Sequence, residues 1–174
     1  DPTCGAGVFV LETLEMKLDL LDLHYTEISK GKIHKVVKTI RGNDVNEDSI
    51  KLTKIRLLLC ILHRYGVSKI KGLAKIMDPC FTCYDFVISK PNNNRYDIIV
   101  GNPPYVEDSK SLSVPPVKYG NIYANVLDNA AFQLKEGGVM GFVIPLSYES
   151  TPRMKKIRDK FYICGDFEHE AKEG

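Results

Sequence analysis

The chain of 174 residues lacks any apolar run that approaches the roughly 20 residues of a membrane-spanning helix. The longest apolar stretch near the end, residues 139–146, is too short to span a bilayer and fits a buried strand instead. A secretory signal peptide is also missing from these residues. These absences predict a cytoplasmic protein with no membrane partner.

Strong net charge is missing as well, because 24 Lys and Arg nearly balance 22 Asp and Glu to leave +2. A dedicated nucleic-acid module is usually far more basic, so this composition neither requires nor excludes a nucleic-acid partner. Both basic clusters fit solvated faces, although either could meet phosphates. They are Lys30, Lys32, Lys35, Lys38 and Arg41, and then Arg153, Lys155, Lys156, Arg158 and Lys160.

The sequence lacks the cysteine pattern of a disulfide scaffold or a zinc site. Five cysteines are an odd number, which together with the missing signal peptide favours a reducing compartment. Cys80 and Cys83 form one Cys-x-x-Cys pair, but zinc needs two further ligands at suitable spacing and no second pair occurs. We therefore predict no metal.

The segment around residue 100 carries the clearest structural signal. Ile98 to Val100 is an apolar run bounded by turn residues, which predicts a strand buried on both faces. Gly101 and the residues that follow it cannot continue a sheet ladder, because two of them are consecutive prolines. In an open parallel sheet, the carboxyl edge reached at this point is where ligands bind.

The turn Asn-Pro-Pro-Tyr offers a defined chemistry at that edge. The side-chain carbonyl of Asn102 and the backbone carbonyl of Pro103 are two adjacent acceptors that suit an amino group with two N–H donors. Tyr105 offers a ring face on which a planar base can stack. An ordinary surface turn has the same composition, so both interpretations stay open from the turn alone.

The remaining pattern alternates strands and helices, which predicts an α/β protein with a doubly wound, mostly parallel sheet and helices on both faces. Gly5 and Gly7 allow a tight turn directly before the first helix. That helix has an apolar stripe and is expected to pack on the sheet and to stop at Gly31. The stripe consists of Leu11, Leu14, Leu18 and Leu21.

The other expected elements follow in chain order. A strand is expected at Thr39–Val45, followed by a helix that is capped by Asn46 and ends near Gly66, with Ile55, Leu58, Leu59 and Leu62 buried. A surface turn is expected at 91–94 and a functional or disordered loop at 106–118. The chain then continues with a helix that has Ile122, Val126, Ala130 and Leu134 inward and ends at Gly137-Gly138, a strand at 139–144, and a basic last helix after Thr151-Pro152.

Two longer motifs carry a family resemblance. Asp1-Pro2-Thr3-Cys4-Gly5-Ala6-Gly7-Val8-Phe9 and Tyr96-Asp97-Ile98-Ile99-Val100-Gly101-Asn102-Pro103-Pro104-Tyr105 resemble motifs I and IV of amino-group methyltransferases that use S-adenosylmethionine. The segments 42–46 and 81–86 resemble motifs II and III. The resemblance covers most of the chain and is greatest to the N6-adenine DNA methyltransferases of restriction–modification systems.

That resemblance implies a Rossmann-like methyltransferase fold in which residues 1–174 are a partial catalytic domain. A glycine motif of this type should follow a strand, so we expect the domain to be N-terminally truncated, with its first strand before Asp1. It also implies that DNA recognition resides in a separate target-recognition domain or specificity subunit.

The resemblance assigns a role to individual residues. The cofactor S-adenosylmethionine would be bound by Asp1, Pro2, Thr3, Gly5, Gly7, Asp44, Val45, Asp85 and Phe86, with Asp44 on the ribose and the Asp85-Phe86 pair on the adenine ring. The flipped adenine of DNA would be bound by Asn102, Pro103, Pro104 and Tyr105. Asn43 departs from the family pattern, which usually has an apolar residue there.

Alternatives remain at this point. Asp44 and Asp85 could be turn or cap acids and Phe86 a core residue. Cytosine N4, an RNA guanine and a protein glutamine also present a planar amino group to such a turn. A different class of interpretation is a non-catalytic cofactor-binding fragment.

Overall fold

The computed structural model describes residues 1–89 and 95–164, so the turn expected at 91–94 lies outside the described residues. The strands are β1 (Gly42–Asp44), β2 (Phe81–Cys83), β3 (Tyr96–Gly101) and β4 (Leu134–Phe142). The helices are α1 (Val8–His24), α2 (Lys30–Val37), α3 (Glu47–Tyr65), α4 (Val67–Ile70), α5 (Leu73–Met77), α6 (Ile122–Phe132), α7 (Ser147–Ser150) and α8 (Lys155–Cys164). Short 3-10 turns lie at Asp78–Cys80, Asp108–Lys110 and Pro152–Met154.

The strands form two separate parallel pairs in the described ranges, β1 with β2 and β3 with β4. Gly42 lies opposite Phe81 in the first pair, and Ile98 lies opposite Val139 in the second. Parallel partners need long crossover connections, which helices supply here. The α/β class expected from the alternation of elements is therefore confirmed.

The hydrophobic core is built mainly by helices. In the N-terminal half, Leu14 and Leu18 of α1 are fully buried together with Ile33 of α2 and Leu57 of α3. The leucine stripe of α1 is confirmed, although its closest helical partners are α2 and α3 rather than a continuous sheet. A second core surrounds α6 and α8, and Ile157 is completely buried there.

Two expectations for the N-terminal half were wrong. The first helix ends at His24, and Gly31 lies inside α2, where Ser29 caps the new helix by accepting from the Lys32 backbone N–H. The strand expected at Thr39–Val45 is only Gly42–Asp44, because backbone bonds from Thr39 and Ile40 to Val36 and Val37 prolong the turn after α2.

The stripe expected on α3 was wrong at Ile55 and Leu59, whereas Leu58 packs against the core as expected. Ile50, Thr53, Leu57 and Ile61 face the core, while Ile55 and Leu59 are about half exposed. Residues 57–62 are apolar almost without interruption, so their pattern alone does not select one face of a helix. The cap at Asn46 and the end at Gly66 are confirmed.

Two expectations for the C-terminal half need correction. Ile122, Val126 and Ala130 are buried as expected, but α6 ends at Phe132 and Leu134 starts β4. The pairing of β3 and β4 is irregular between Tyr96 and Ile98, so Gly137 and Gly138 lie within an irregular strand rather than at a helix end. The strand β3 is longer than expected and is not buried on both faces, since Ile98 is 68% exposed.

An apolar cavity of about 680 Å³ explains the exposure of Ile98. It lies where α1, β1 and β3 face one another, and its lining includes Phe9, Met16, Leu20, Ile40 and Ile98. Asp1 lies at this cavity and is hydrogen-bonded to the β1 segment: its nitrogen donates to the Arg41 carbonyl at 3.0 Å, and Asn43 donates to its carbonyl at 2.9 Å. Alternating bonds of this kind are those of a parallel ladder.

None of the helices in the described ranges combines the length and the hydropathy needed to cross a bilayer.

The buried stripe of α1 makes a testable prediction about stability. Leu14 is completely buried, so Leu14→Ala should reduce the free energy of unfolding by about 2–5 kcal/mol through lost contacts and a residual cavity. Leu23 lies on the same helix but is 79% exposed, and Leu23→Ala should change it by less than about 0.5 kcal/mol. Urea unfolding measures both, and equal effects would contradict the assigned packing face.

Candidate functional site

The site residues expected from the sequence follow the carboxyl ends of three strands. Asp44 is the last residue of β1, Asp85 follows β2 by two positions, and Asn102 follows β3 directly. The loop of residues 1–7 hydrogen-bonds to β1 through the bonds of Asp1 and through the Cys4 N–H, which donates to the Asn43 carbonyl at 2.7 Å. This loop therefore starts at the same strand that ends in Asp44.

The glycine turn is fixed by α3. Gly7 has a φ of 79°, and a Cβ built there would lie 2.6 Å from the Thr53 side chain. The Thr53 hydroxyl donates to the Gly5 carbonyl at 2.9 Å, and the Arg56 guanidinium donates to the Ala6 carbonyl at 2.5 Å. A left-handed φ and this close approach both require glycine, so the turn can be held tightly against the helix.

Asp44 braces the same turn from the strand side. One carboxylate oxygen accepts from the Gly5 N–H at 2.7 Å, and the other accepts from the Asn46 N–H at 2.9 Å. The carboxylate thus joins the glycine turn to the start of α3 and keeps further lone pairs for a ligand. Val45 beside it is 71% exposed, so its side chain is open to contact from outside.

Asn43 is a buried junction between the candidate cofactor segments. Its side-chain N–H groups donate to the carbonyls of Pro2 and Tyr84, both at 3.0 Å. Its carbonyl oxygen accepts from the Thr82 hydroxyl at 3.0 Å and from the Tyr84 N–H at 3.2 Å. Both hydrogens and both lone pairs of the carboxamide are used, which accounts for a polar residue at a position 5% exposed.

Asp1 connects the glycine loop to the Asn-Pro-Pro-Tyr turn. One of its carboxylate oxygens accepts from the Thr3 N–H at 3.0 Å. A Cβ built on Gly101 would lie only 2.9 Å from that oxygen, so glycine at the end of β3 allows the close approach. The Thr3 hydroxyl is buried without a hydrogen-bond partner among the described residues.

The Asp85-Phe86 pair lies under the loop that follows Tyr105. One oxygen of Asp85 accepts from the Val87 N–H at 2.9 Å, and the other accepts from the Ser113 hydroxyl. Phe86 is 6% exposed and packs with Ile99 and Val126, so most of its ring belongs to the core. The loop expected to be functional or disordered is thus anchored on a candidate cofactor residue.

The Asn-Pro-Pro-Tyr turn is exposed at three of its four residues. Asn102 is exposed and Pro103 is buried. The Tyr105 hydroxyl lies 2.5 Å from the Asn102 side-chain oxygen and 2.8 Å from the Val143 carbonyl. The Tyr105 ring is 46% exposed, and it meets the edge of Tyr123 at 6.1 Å between centroids. Burial raises the pKa of the Tyr105 phenol, so the hydroxyl keeps its proton and can donate a hydrogen bond.

The two cysteines of the Cys-x-x-Cys pair lie in different surroundings. Cys80 is buried near the Arg41 guanidinium at 3.2 Å, and burial raises the pKa of its thiol. Cys83 is exposed at the end of β2 and donates weakly to the Val45 carbonyl. Within residues 1–89 and 95–164, no three His, Cys, Asp or Glu side chains are grouped so as to hold a metal ion.

Sequence reasoning missed the residues that shape the site from outside the motifs. Thr53 and Arg56 carry only a weak signal, a polar residue in the buried stripe of α3 and a basic residue one turn later. Ser113 carries none, because its contact with Asp85 spans 28 positions.

Comparison with known proteins places most of these candidate site residues within one protein family. The model of the Eco57I restriction-modification methylase family matches residues 38–166. This chain belongs to that family. The match includes Asn43, Asp44, the Asp85-Phe86 pair and the Asn-Pro-Pro-Tyr turn, while the glycine loop lies before it.

The type II restriction enzyme and methyltransferase RM.Eco57I of Escherichia coli is a relative of this family member. The two are 23% identical over 209 aligned positions, which cover 91% of this chain and 21% of the relative. The chain therefore spans about a fifth of the length of the curated relative that it matches.

The Asn43 junction makes a second testable prediction. Asn43→Asp keeps the size of the side chain but removes both donated bonds and places a carboxylate against two carbonyls, so unfolding free energy should fall by at least about 1–3 kcal/mol. Asn46→Asp is the matched control, because Asn46 caps α3 by accepting bonds only. Thermal and urea unfolding compare the variants, and an equally stable Asn43→Asp protein would contradict the junction.

Proposed function

We propose that the protein transfers a methyl group from S-adenosylmethionine to the N6 amino group of adenine in DNA, as the modification activity of a restriction–modification system. The observation that carries this proposal is the exposed Asn-Pro-Pro-Tyr turn at the carboxyl end of β3, next to a glycine loop that Asp1 brings against Gly101. Membership in a restriction-modification methylase family supports the reaction class and a DNA substrate.

The polar residues in and around the glycine loop fit a cationic, hydroxyl-bearing cofactor. S-adenosylmethionine would supply a methyl group on a positively charged sulfur. The carboxylates of Asp1, Asp44 and Asp85 suit that charge and the ribose hydroxyls, and each keeps acceptor capacity beyond its present bonds. The buried Thr3 hydroxyl, which has no partner among the described residues, is a further polar contact for a ligand.

Two oxygens of the turn would act on the target amino group. The lone pair of an adenine amine is delocalised into the ring, so the nitrogen is a poor nucleophile. The Asn102 side-chain oxygen and the Pro103 carbonyl would accept its two hydrogens, favouring a tetrahedral nitrogen and the positive charge that develops on attack. No nucleophilic side chain is required, and alignment provides much of the remaining rate enhancement.

The target adenine must leave the DNA helix to reach this turn. An extrusion of this kind costs a few kcal/mol of unpairing and unstacking. Stacking of the base on the half-exposed ring of Tyr105 would offset part of this free energy. Sequence recognition is assigned to a separate domain or specificity subunit, and the proposed location is the cytoplasm, where DNA is available.

The two strand pairs fit one doubly wound, Rossmann-like sheet. The cavity between β1 and β3 is apolar, and Asp1 already has ladder bonds to the β1 segment at its end. We assign the cavity to a further parallel strand that leads into Asp1 and joins the two pairs into a continuous sheet.

The role of Asn102 is tested by methyl transfer. Asn102→Ala removes one of the two acceptors, so kcat should fall about 100-fold or more while the Kd for S-adenosylmethionine stays within about twofold. The assay uses the full-length protein, labelled S-adenosylmethionine and mixed-sequence DNA, followed by nucleoside analysis. Label in N6-methyladenine that disappears in the variant supports the proposal.

Two other results of that assay would contradict the proposal. Label in N4-methylcytosine, in RNA or in protein glutamine would mean that the reaction is methyl transfer to an amino group but that the substrate is not adenine in DNA. Intact cofactor binding without transfer to any of these would instead support a non-catalytic cofactor-binding protein.

The role of Asp44 is tested by cofactor affinity. Asp44→Ala removes the acceptor for the ribose and the brace on Gly5, so the Kd for S-adenosylmethionine should rise about tenfold or more. Asp48→Ala, at an exposed carboxylate in the first turn of α3, is the control and should leave the Kd unchanged. Calorimetric titration measures both, and an unaltered Kd for Asp44→Ala would make Asp44 a turn acid only.

A further inference from the structure

The hydroxyl of Tyr105 has two acceptors and one proton. It lies 2.5 Å from the Asn102 side-chain oxygen and 2.8 Å from the Val143 carbonyl oxygen. A phenol donates a single hydrogen bond at full strength, so it must favour one of these acceptors at a time or divide its proton between them. Stacking on a base would require only the ring, and it leaves this arrangement unexplained.

The strand pair fixes the Val143 carbonyl and the backbone from which the Asn102 side chain extends. The Val143 N–H donates to the Gly101 carbonyl at 3.0 Å, directly after the last paired residues of β3 and β4. Asn102 follows Gly101 in the chain. The Tyr105 ring is supported from its side by Tyr123, whose ring meets it at 87°. Rotation of the hydroxyl hydrogen can therefore exchange the two acceptors without movement of the ring.

We propose that the Tyr105 hydroxyl is a two-position donor that orients Asn102 in the empty site and turns to the Val143 carbonyl when the target amino group arrives. This inference rests on the proposed function, because it assigns the Asn102 oxygen to the substrate amine. It makes Tyr105 a positioning residue through its hydroxyl, in addition to the stacking role of its ring.

The exchange has a physical reason. A donor bound to the Asn102 oxygen fixes which end of the carboxamide faces the site, and an exposed side chain otherwise rotates freely. The same donor competes with the substrate amine for electron density on that oxygen. Because Val143 offers a second acceptor 2.8 Å away, the hydroxyl can release Asn102 without losing a hydrogen bond. Burial also raises the pKa of the phenol, which keeps the proton in place near neutral pH.

The substitution Tyr105→Phe separates the hydroxyl from the ring. In the full-length protein we expect kcat to fall about tenfold, while the KM for DNA and the Kd for S-adenosylmethionine stay within about twofold. In an Asn102→Ala background the same substitution should have no further effect, because the hydroxyl acts through Asn102. Tyr65→Phe is the matched control, since it removes a phenol hydroxyl bonded to Asp22 far along the chain.

Three kinetic results would contradict the proposed role of the Tyr105 hydroxyl. An unchanged kcat in Tyr105→Phe, or equal losses with and without Asn102, would overturn the proposal. A loss confined to KM would also overturn it, because weaker stacking rather than carboxamide orientation would then be the cause.

A second measurement does not depend on the reaction. With asparagine labelled by ¹⁵N, the side-chain NH₂ signals of Asn102 are identified by their loss in Asn102→Ala. We expect these signals to shift in Tyr105→Phe and to stay in place in Tyr65→Phe, and unchanged signals in Tyr105→Phe would overturn the proposal. If the wild-type protein methylates no adenine in DNA and the signals still shift, the proposed function fails and the hydrogen bond between Tyr105 and Asn102 stands.

Discussion

The carboxamide of Asn43 is the interaction on which the rest of the candidate site depends. It lies in the middle of β1 and bonds to the loop before the glycine turn, to β2, and to the residue directly before Asp85. Two segments that are distant from β1 in sequence, around Pro2 and around residues 82–84, therefore share one buried amide, whose hydrogen-bonding groups are all used. An apolar side chain could fill the same volume, but it would leave the Pro2 and Tyr84 carbonyls without these partners.

Further contacts extend from this junction to both ends of the site. Asp44, the next residue, braces Gly5, and α3 holds the outer side of the same turn through Thr53 and Arg56. The proposed cofactor loop is thus fixed by a strand and a helix together. Side chains held by rigid elements in this way keep their geometry better than side chains on a free loop.

Local patterns predicted the turns that carry the candidate site residues better than they predicted the elements around them. The glycine turn, the Asn46 cap and the Asn-Pro-Pro-Tyr turn depend on neighbouring residues, and the structure has each of them at the predicted position. The buried face of α3 was misassigned because its apolar residues are nearly continuous. The exposed face of Ile98 depends on the cavity beside it, and the contact between Ser113 and Asp85 depends on tertiary structure.

The close approach of Asp1 to Gly101 has a thermodynamic consequence. One carboxylate accepts a hydrogen bond within the loop proposed for the methyl donor and occupies the space that a side chain on Gly101, the residue before Asn102, would need. A ligand on the glycine loop that displaces Asp1 would therefore also change the packing beside the turn proposed for the base. Linkage makes such an effect reciprocal: the factor by which the first ligand changes the affinity for the second equals the factor by which the second changes the affinity for the first.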